Sequence, residues 1–303
     1  MMKKKLKKTD ILMIAVAVAV LIAVGATLVS MVADASRQKA LEPSGDYYGM
    51  TVLEAMYLEC EARGLSITPE ELEQLEAQAR EDVRQYALSG EAVSYEDVLE
   101  ELKFDFLFER LRTALPLEDR ITDAQIREWY DVRLEALETA FAEEPGIFKS
   151  QQDLFDKHGG VPPLVAPEGY IYVRHILVED RETAQTLLER LDAGESFDAL
   201  LSGYNTDPGM EAEPFATLGY LVGPYPSKVD YLPGFKEAAL ALTEVGQHSG
   251  IVETESGFHI LRLERRLPGG TKPLEEVRDA IHAMLLKADQ TKQLTDLLKS
   301  WVS

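Results

Sequence analysis

Residues 11–32, ILMIAVAVAVLIAVGATLVSMV, run for 22 positions without a charged side chain. As a helix rising 1.5 Å per residue, that run spans roughly 33 Å, enough for the hydrocarbon core of a bilayer. The apolar part of a secretory signal is shorter, about 7–15 residues. Lys3, Lys4, Lys5, Lys7 and Lys8 precede the run and no comparable cluster follows it. Lysines of this kind stay on the cytoplasmic side. Residues 1–35 therefore read as a signal anchor that crosses the cell membrane once and leaves the body outside the cytoplasm. The alternative is cleavage at the small-x-small triplet Ala33-Asp34-Ala35, which would release the body as a secreted protein. A lipoprotein cut needs a cysteine directly after the apolar run, and none stands there. Both readings place the body outside the cytoplasm.

Charge follows the same division. The chain carries a net −22, yet its first ten residues sum to +4, so the remainder holds −26. A body that acidic repels phosphate backbones, which argues against nucleic acid as a partner. Hydrophobic residues make up 46% of the 303, enough for a sizeable core and, at this length, for two folded units. Cys60 is the single cysteine, so no intrachain disulfide forms. Five histidines and one cysteine show no zinc-like spacing, and no metal or cofactor is expected.

After a polar connector at 36–49, residues 50–143 have helical texture. Thr68-Pro69-Glu70-Glu71 combines an N-cap, a proline at the first helical position and a glutamate three residues after the cap, which is a capping box. Leu72, Leu75, Ala79 and Val83 then recur at helical spacing. Ser94 heads a second helix whose apolar stripe is Val98, Leu99, Leu102, Phe106 and Leu107. Thr122 heads a third, with Ile126, Trp129, Tyr130, Leu134 and Leu137. Residues 144–168, with Pro145, Gly146, Gly159, Gly160, Pro162, Pro163 and Pro167, read as a linker and domain boundary.

Beyond Pro167 the pattern becomes mixed. Residues 170–178 alternate as a strand, 183–193 and 197–204 read as helices, and a glycine- and proline-rich loop covers 205–234. A further helix at 235–242 precedes two strands, 251–254 and 258–265, joined through Glu255-Ser256-Gly257 as a hairpin. The order predicts an α+β fold with a small antiparallel sheet at 169–267, preceded by an all-α domain and the transmembrane helix. Residues 273–303 close the chain as a long amphipathic helix.

Six segments of 170–266, in order, resemble the parvulin family of peptidyl-prolyl isomerases. They are Val173-Arg174-His175-Ile176-Leu177-Val178, Gly194 to Leu200, Tyr204-Asn205-Thr206-Asp207, Leu218-Gly219, Gly234 to Ala239, and Ser249 to Ile260. Residues 68–130 more loosely resemble the helical chaperone region of membrane-attached parvulin foldases of Gram-positive bacteria and of related periplasmic chaperones. In those families a C-terminal helix folds back onto the N-terminal helices, and 273–303 is placed to do so.

The resemblance implies a site. His175 and His259 would lie side by side, hydrogen-bonded to each other and held by Thr254 and Ser256. Asp207 would face the substrate carbonyl, and Phe235 would floor the proline slot. The second slot residue falls at Tyr231 or Leu232. In isolation Asp207, before Pro208-Gly209, is simply a turn residue. The family's Gly-Gly-x-Leu-Gly turn here reads Phe215-Ala216-Thr217-Leu218-Gly219, which puts side chains where glycine opens the backbone, and Gly250 stands where proline is common.

The expected function is that of a foldase that speeds cis/trans isomerisation of X–Pro bonds and also holds unfolded clients. Its partners would be newly translocated or unfolded proteins, proline-containing peptides and, through the N-terminal helix, the membrane. A homodimer is compatible with the sequence. The alternative is a holdase whose parvulin domain binds extended segments without catalysis. Phosphoserine or phosphothreonine recognition needs an Arg/Lys cluster after the first strand, but that loop reads Glu179-Asp180-Arg181-Glu182.

Overall fold

The computed structural model describes residues 34, 36–228 and 230–303. The proposed anchor at 11–32 lies outside them, and no described helix is long and apolar enough to cross a membrane.

The chain divides into two compact units, one made of residues up to Arg120 together with Lys287–Ser303, the other of Ile121–Leu286. The first is helical. Its helices α1 (Val52–Ala62), α2 (Pro69–Ser89) and α3 (Tyr95–Ala114) begin at Thr51, Thr68 and Ser94. The Thr51 and Thr68 caps both form complete capping boxes, with Glu54 and Glu71 reaching back to the cap amide. Ala55, Met56, Cys60, Leu107, Leu111 and Leu115 make its core, closed by Leu294, Leu298 and Trp301 of the last helix, α10 (Leu274–Val302).

The second unit begins earlier than the sequence pattern indicates. Helix α4 (Asp123–Glu143), capped by Thr122 and Gln125, was grouped by its periodicity with the helices before it. Its buried face instead packs Ile126, Tyr130, Leu137 and Phe141 against Leu164, Tyr170, Tyr172 and Leu221. The segment 144–168 is likewise more than a linker. It holds helix α5 (Ile147–His158) and strand β1 (Val165–Ala166), with Phe148 fully buried. The amphipathic face of the Thr122 helix was legible, but what it packs against was not, and that moves the boundary from residue 144 to residue 121.

At the centre stands a four-stranded antiparallel sheet of β2 (Ile171–Val178), β3 (Tyr220–Val222), β4 (Val252–Thr254) and β5 (Gly257–Arg266), in the order β3-β2-β5-β4. Strand β1 pairs separately with β6 (Gly270–Thr271). Strand β3 falls inside the stretch read as a loop. Both faces of β2 are covered, so most of its residues are buried. On one face Ile176 and Val178 meet α6 (Arg181–Asp192) and α7 (Phe197–Tyr204) through Ala184, Leu187, Phe197 and Leu200. The α6 helix starts two residues before the expected position, with Asp180 as its cap. On the other face Ile171 and Val173 join Phe235, Ala239 and Leu242 from α9 (Pro233–Ala241) and its end.

Candidate active site

The two histidines are brought together by strand register. His175 on β2 sits opposite Leu261 of β5, and His259 sits opposite Leu177. Each pair is two residues from the other, so both imidazoles project from the same face as diagonal neighbours. Their rings meet edge to face with centroids 5.1 Å apart, and Phe235 stands against both, 5.2 Å from His175 and 5.4 Å from His259. All three side chains are buried.

The expected hydrogen bond between the histidines does not form. His175 Nε2 lies 3.0 Å from Asp207 Oδ2, yet neither of its ring nitrogens has an aligned hydrogen-bond partner, and His259 Nδ1 has none either. His259 Nε2 pairs with Thr254 Oγ1 at 2.7 Å. The Ser256 amide donates to the same Thr254 oxygen at 3.2 Å. The two rings thus touch edge to face without a hydrogen bond between them, and only His259 is held by one, through Thr254.

Asp207 caps the short 3-10 turn Pro208–Met210. Its Oδ1 accepts from the Gly209 amide and its Oδ2 from the Tyr220 hydroxyl, each at 2.9 Å. The His175 ring beside it, aided by the Gly209 amide and the Tyr220 hydroxyl, outweighs burial and holds the carboxyl down at about 2. Asp207 is therefore anionic at neutral pH. Burial, reinforced by the neighbouring His175, pushes His259 down to about 4 and keeps it neutral. Burial and then Asp207 raise the Tyr220 hydroxyl well above its ordinary value, so it remains a donor.

One cavity of about 300 Å³ gathers His175, Asp207, His259, Thr254, Ser256, Phe235, Tyr231 and Leu232, together with Leu177, Tyr220 and Asp230. Tyr231 and Leu232, alternatives from the sequence, both line it. Tyr231 lies between Tyr220 and Phe235, with centroids 5.6 Å and 5.3 Å away and planes tilted by 32° and 31°. Tyr220 lines the same cavity and donates to Asp207, and the sequence pattern does not single it out. It starts a three-residue strand within a glycine- and proline-rich stretch, and its role depends on a contact 13 residues away. A signal did exist in Gly209, where a Cβ would fall 1.9 Å from the Tyr220 oxygen.

The altered turn is a short helix, α8 (Phe215–Leu218), in which no residue other than glycine takes a positive φ. Phe215 and Ala216 thus need no glycine-like backbone. Gly219 does, with φ +82° and Val173 O only 2.6 Å from where a Cβ would stand. Phe215 turns toward Tyr220, with centroids 5.2 Å apart, and is not among the residues lining the cavity.

The sequence profile of the PPIC-type PPIASE domain matches residues 121–279, which coincides closely with the second compact unit. Foldase protein PrsA of Halalkalibacterium halodurans is 39% identical over 127 residues, 41% of this chain and 35% of that protein. Foldase protein PrsA of Caldanaerobacter subterraneus subsp. tengcongensis is 28% identical over 198 residues, 65% of this chain and 51% of that protein. The chain thus spans between a third and a half of the length of these two curated relatives. A crystal structure of the peptidylprolyl isomerase PrsA from Bacillus cereus, 26% identical, covers 82% of this chain and 78% of its own, with a TM-score of 0.30.

Proposed function

The chain belongs to the family of PPIC-type peptidyl-prolyl isomerase domains, and on that premise we propose that it accelerates cis/trans isomerisation of X–Pro bonds in client proteins. The observation that carries the proposal is the cavity itself, which gathers an aromatic slot, Asp207 and two buried imidazoles. Rotation about the X–Pro bond faces a barrier of about 18–20 kcal/mol, because amide resonance must be broken. No covalent step is needed. A site lowers the barrier by binding the twisted amide better than the planar one. Phe235 and Tyr231 supply apolar walls for the pyrrolidine ring. The carbonyl that leaves conjugation meets a fixed polar cluster instead of water, where reorganisation is already complete. The unpartnered ring nitrogens of His175 and His259 are the kind of buried polar atom that calls for a functional reason.

A holding activity accompanies this reading. Met50, Leu53 and Leu58 expose 37–42% of their surface along the start and one side of α1, an apolar face suited to unfolded clients. The apolar run at 11–32 and the lysines ahead of it support a membrane-tethered, extracytoplasmic body.

The test is exchange of an Ala-X-Pro-Phe peptide, followed by NMR, with the 36–303 fragment and its His259→Ala variant. Acceleration by the first and its loss in the second is the expected result. A folded fragment that leaves exchange unchanged overturns the isomerase reading and leaves holding as the activity.

A further inference from the structure

We propose that Lys149, on α5, is a positioning residue for the proline slot, acting through the Tyr231 ring. The proposal rests on the reading of that slot given above. Lys149 is only 5% exposed. Its Nζ donates to Asp153 Oδ2 at 2.7 Å and sits 5.1 Å from the centroid of the Tyr231 ring. Burying an ammonium is unfavourable unless its donors find partners. Asp153 satisfies one of three N–H groups, and the negative face of the tyrosine ring provides a second attraction. A lysine whose only task was to pair with a carboxylate one turn along its own helix could stay at the surface, as Lys292 does with Asp296. Lys149 instead lies beneath an aromatic wall of the cavity.

The approach of α5 to that wall is built into the backbone. Gly146, which caps α5, lies so close to the loop leading into α9 that a Cβ would sit 1.7 Å from Pro226 O. Tyr170, whose ring packs on Phe148 of the same helix with centroids 4.7 Å apart, also lies 6.0 Å from Tyr225 in that loop. Tyr231 therefore has Tyr220 and Phe235 beside it and the Lys149 ammonium over its ring. With the ammonium in place the ring is attracted in one orientation. Without it, the neighbouring Tyr220 and Phe235 rings can slide against it.

The test is a double-mutant cycle in the full chain, kept in detergent micelles, with Lys149→Met, Tyr231→Leu and the pair. Binding of an Ala-Ala-Pro-Phe peptide is followed by NMR titration, and its exchange rate is read separately at saturation. Lys149→Met is expected to weaken binding by about fivefold while changing the saturated exchange rate less than twofold, and Lys149→Arg should restore most of the affinity. With leucine at 231 the Lys149 substitution should have no further effect. The same loss in the leucine background, or undiminished binding by Lys149→Met, overturns the proposal. Lys149→Gln serves in the cycle if the methionine variant does not fold. A wild type that binds the peptide without accelerating exchange defeats the isomerase reading alone, since the affinities still decide the role of Lys149. A wild type that does not bind the peptide defeats both.

Discussion

Asp207 takes the Gly209 amide on one carboxylate oxygen and the Tyr220 hydroxyl on the other, and the second contact can be removed without touching the backbone. Tyr220→Phe should raise the carboxyl from about 2 toward the usual value near ~3.9. A titration of the Asp207 carboxyl carbon by NMR checks this, and an unchanged midpoint would mean that His175 and the Gly209 amide set it without Tyr220. His259 makes a second prediction. Its ring takes up a proton near pH ~6.5 in the unfolded chain but only near about 4 in the folded one. Between those values the unfolded state binds more protons, so stability rises with pH and is lost as pH falls from about 6.5 to 4. Asp207, with its depressed value, extends the loss further, since its contribution is present above ~3.9 and disappears as pH falls through about 2. The His259 contribution is at most about 3 kcal/mol. Urea unfolding at pH 7, 6, 5 and 4 should show it, and His259→Gln should flatten the slope in that window. Most of these groups were legible because motif segments on two strands fix which residues face the cavity. Tyr220 and Lys149 were not, since each acts across a contact that no local pattern encodes.

Among the elements, the turn from α8 into β3 shows how a departure from a family pattern can be absorbed. Phe215 and Ala216 enter helical geometry that accepts side chains, and only Gly219 bears the left-handed backbone. Gly219→Ala should therefore cost more than about 2 kcal/mol, combining backbone strain with the clash against Val173 O. Ala216→Gly, within a helical turn, should cost no more than about 1 kcal/mol. Denaturant midpoints of the two variants compare the sites, and equal losses would contradict this assignment. Elements with caps or strict alternation, such as those begun by Thr68, Ser94 and Thr122, were readable in the sequence. The α5 helix was hidden because Pro145, Gly146, Gly159 and Gly160 flank it closely. Strand β3 was hidden because three residues are too few to show a period of two.

At the scale of the whole molecule, α10 is the element that two hydrophobic cores share. Leu274, Val277 and Ile281 lie in the core of the unit spanning Ile121–Leu286, while Leu294, Leu298 and Trp301 lie in the core of the other. Its amphipathic period was visible in the sequence, but one continuous stripe cannot reveal that it serves two cores. Ile281 and Leu298 are both fully buried, so truncating either to alanine should cost about 2–5 kcal/mol, yet from different units. A chain of this construction need not unfold in a single step. Calorimetry of Leu298→Ala should lower the transition of the helical unit by roughly 5 °C or more while leaving that of the Ile121–Leu286 unit in place. Ile281→Ala should do the reverse, and it should also bring forward the temperature at which the Asp207 and His259 resonances lose their folded positions. If both substitutions move one common transition by the same amount, the two cores melt together, and α10 joins them into a single cooperative structure.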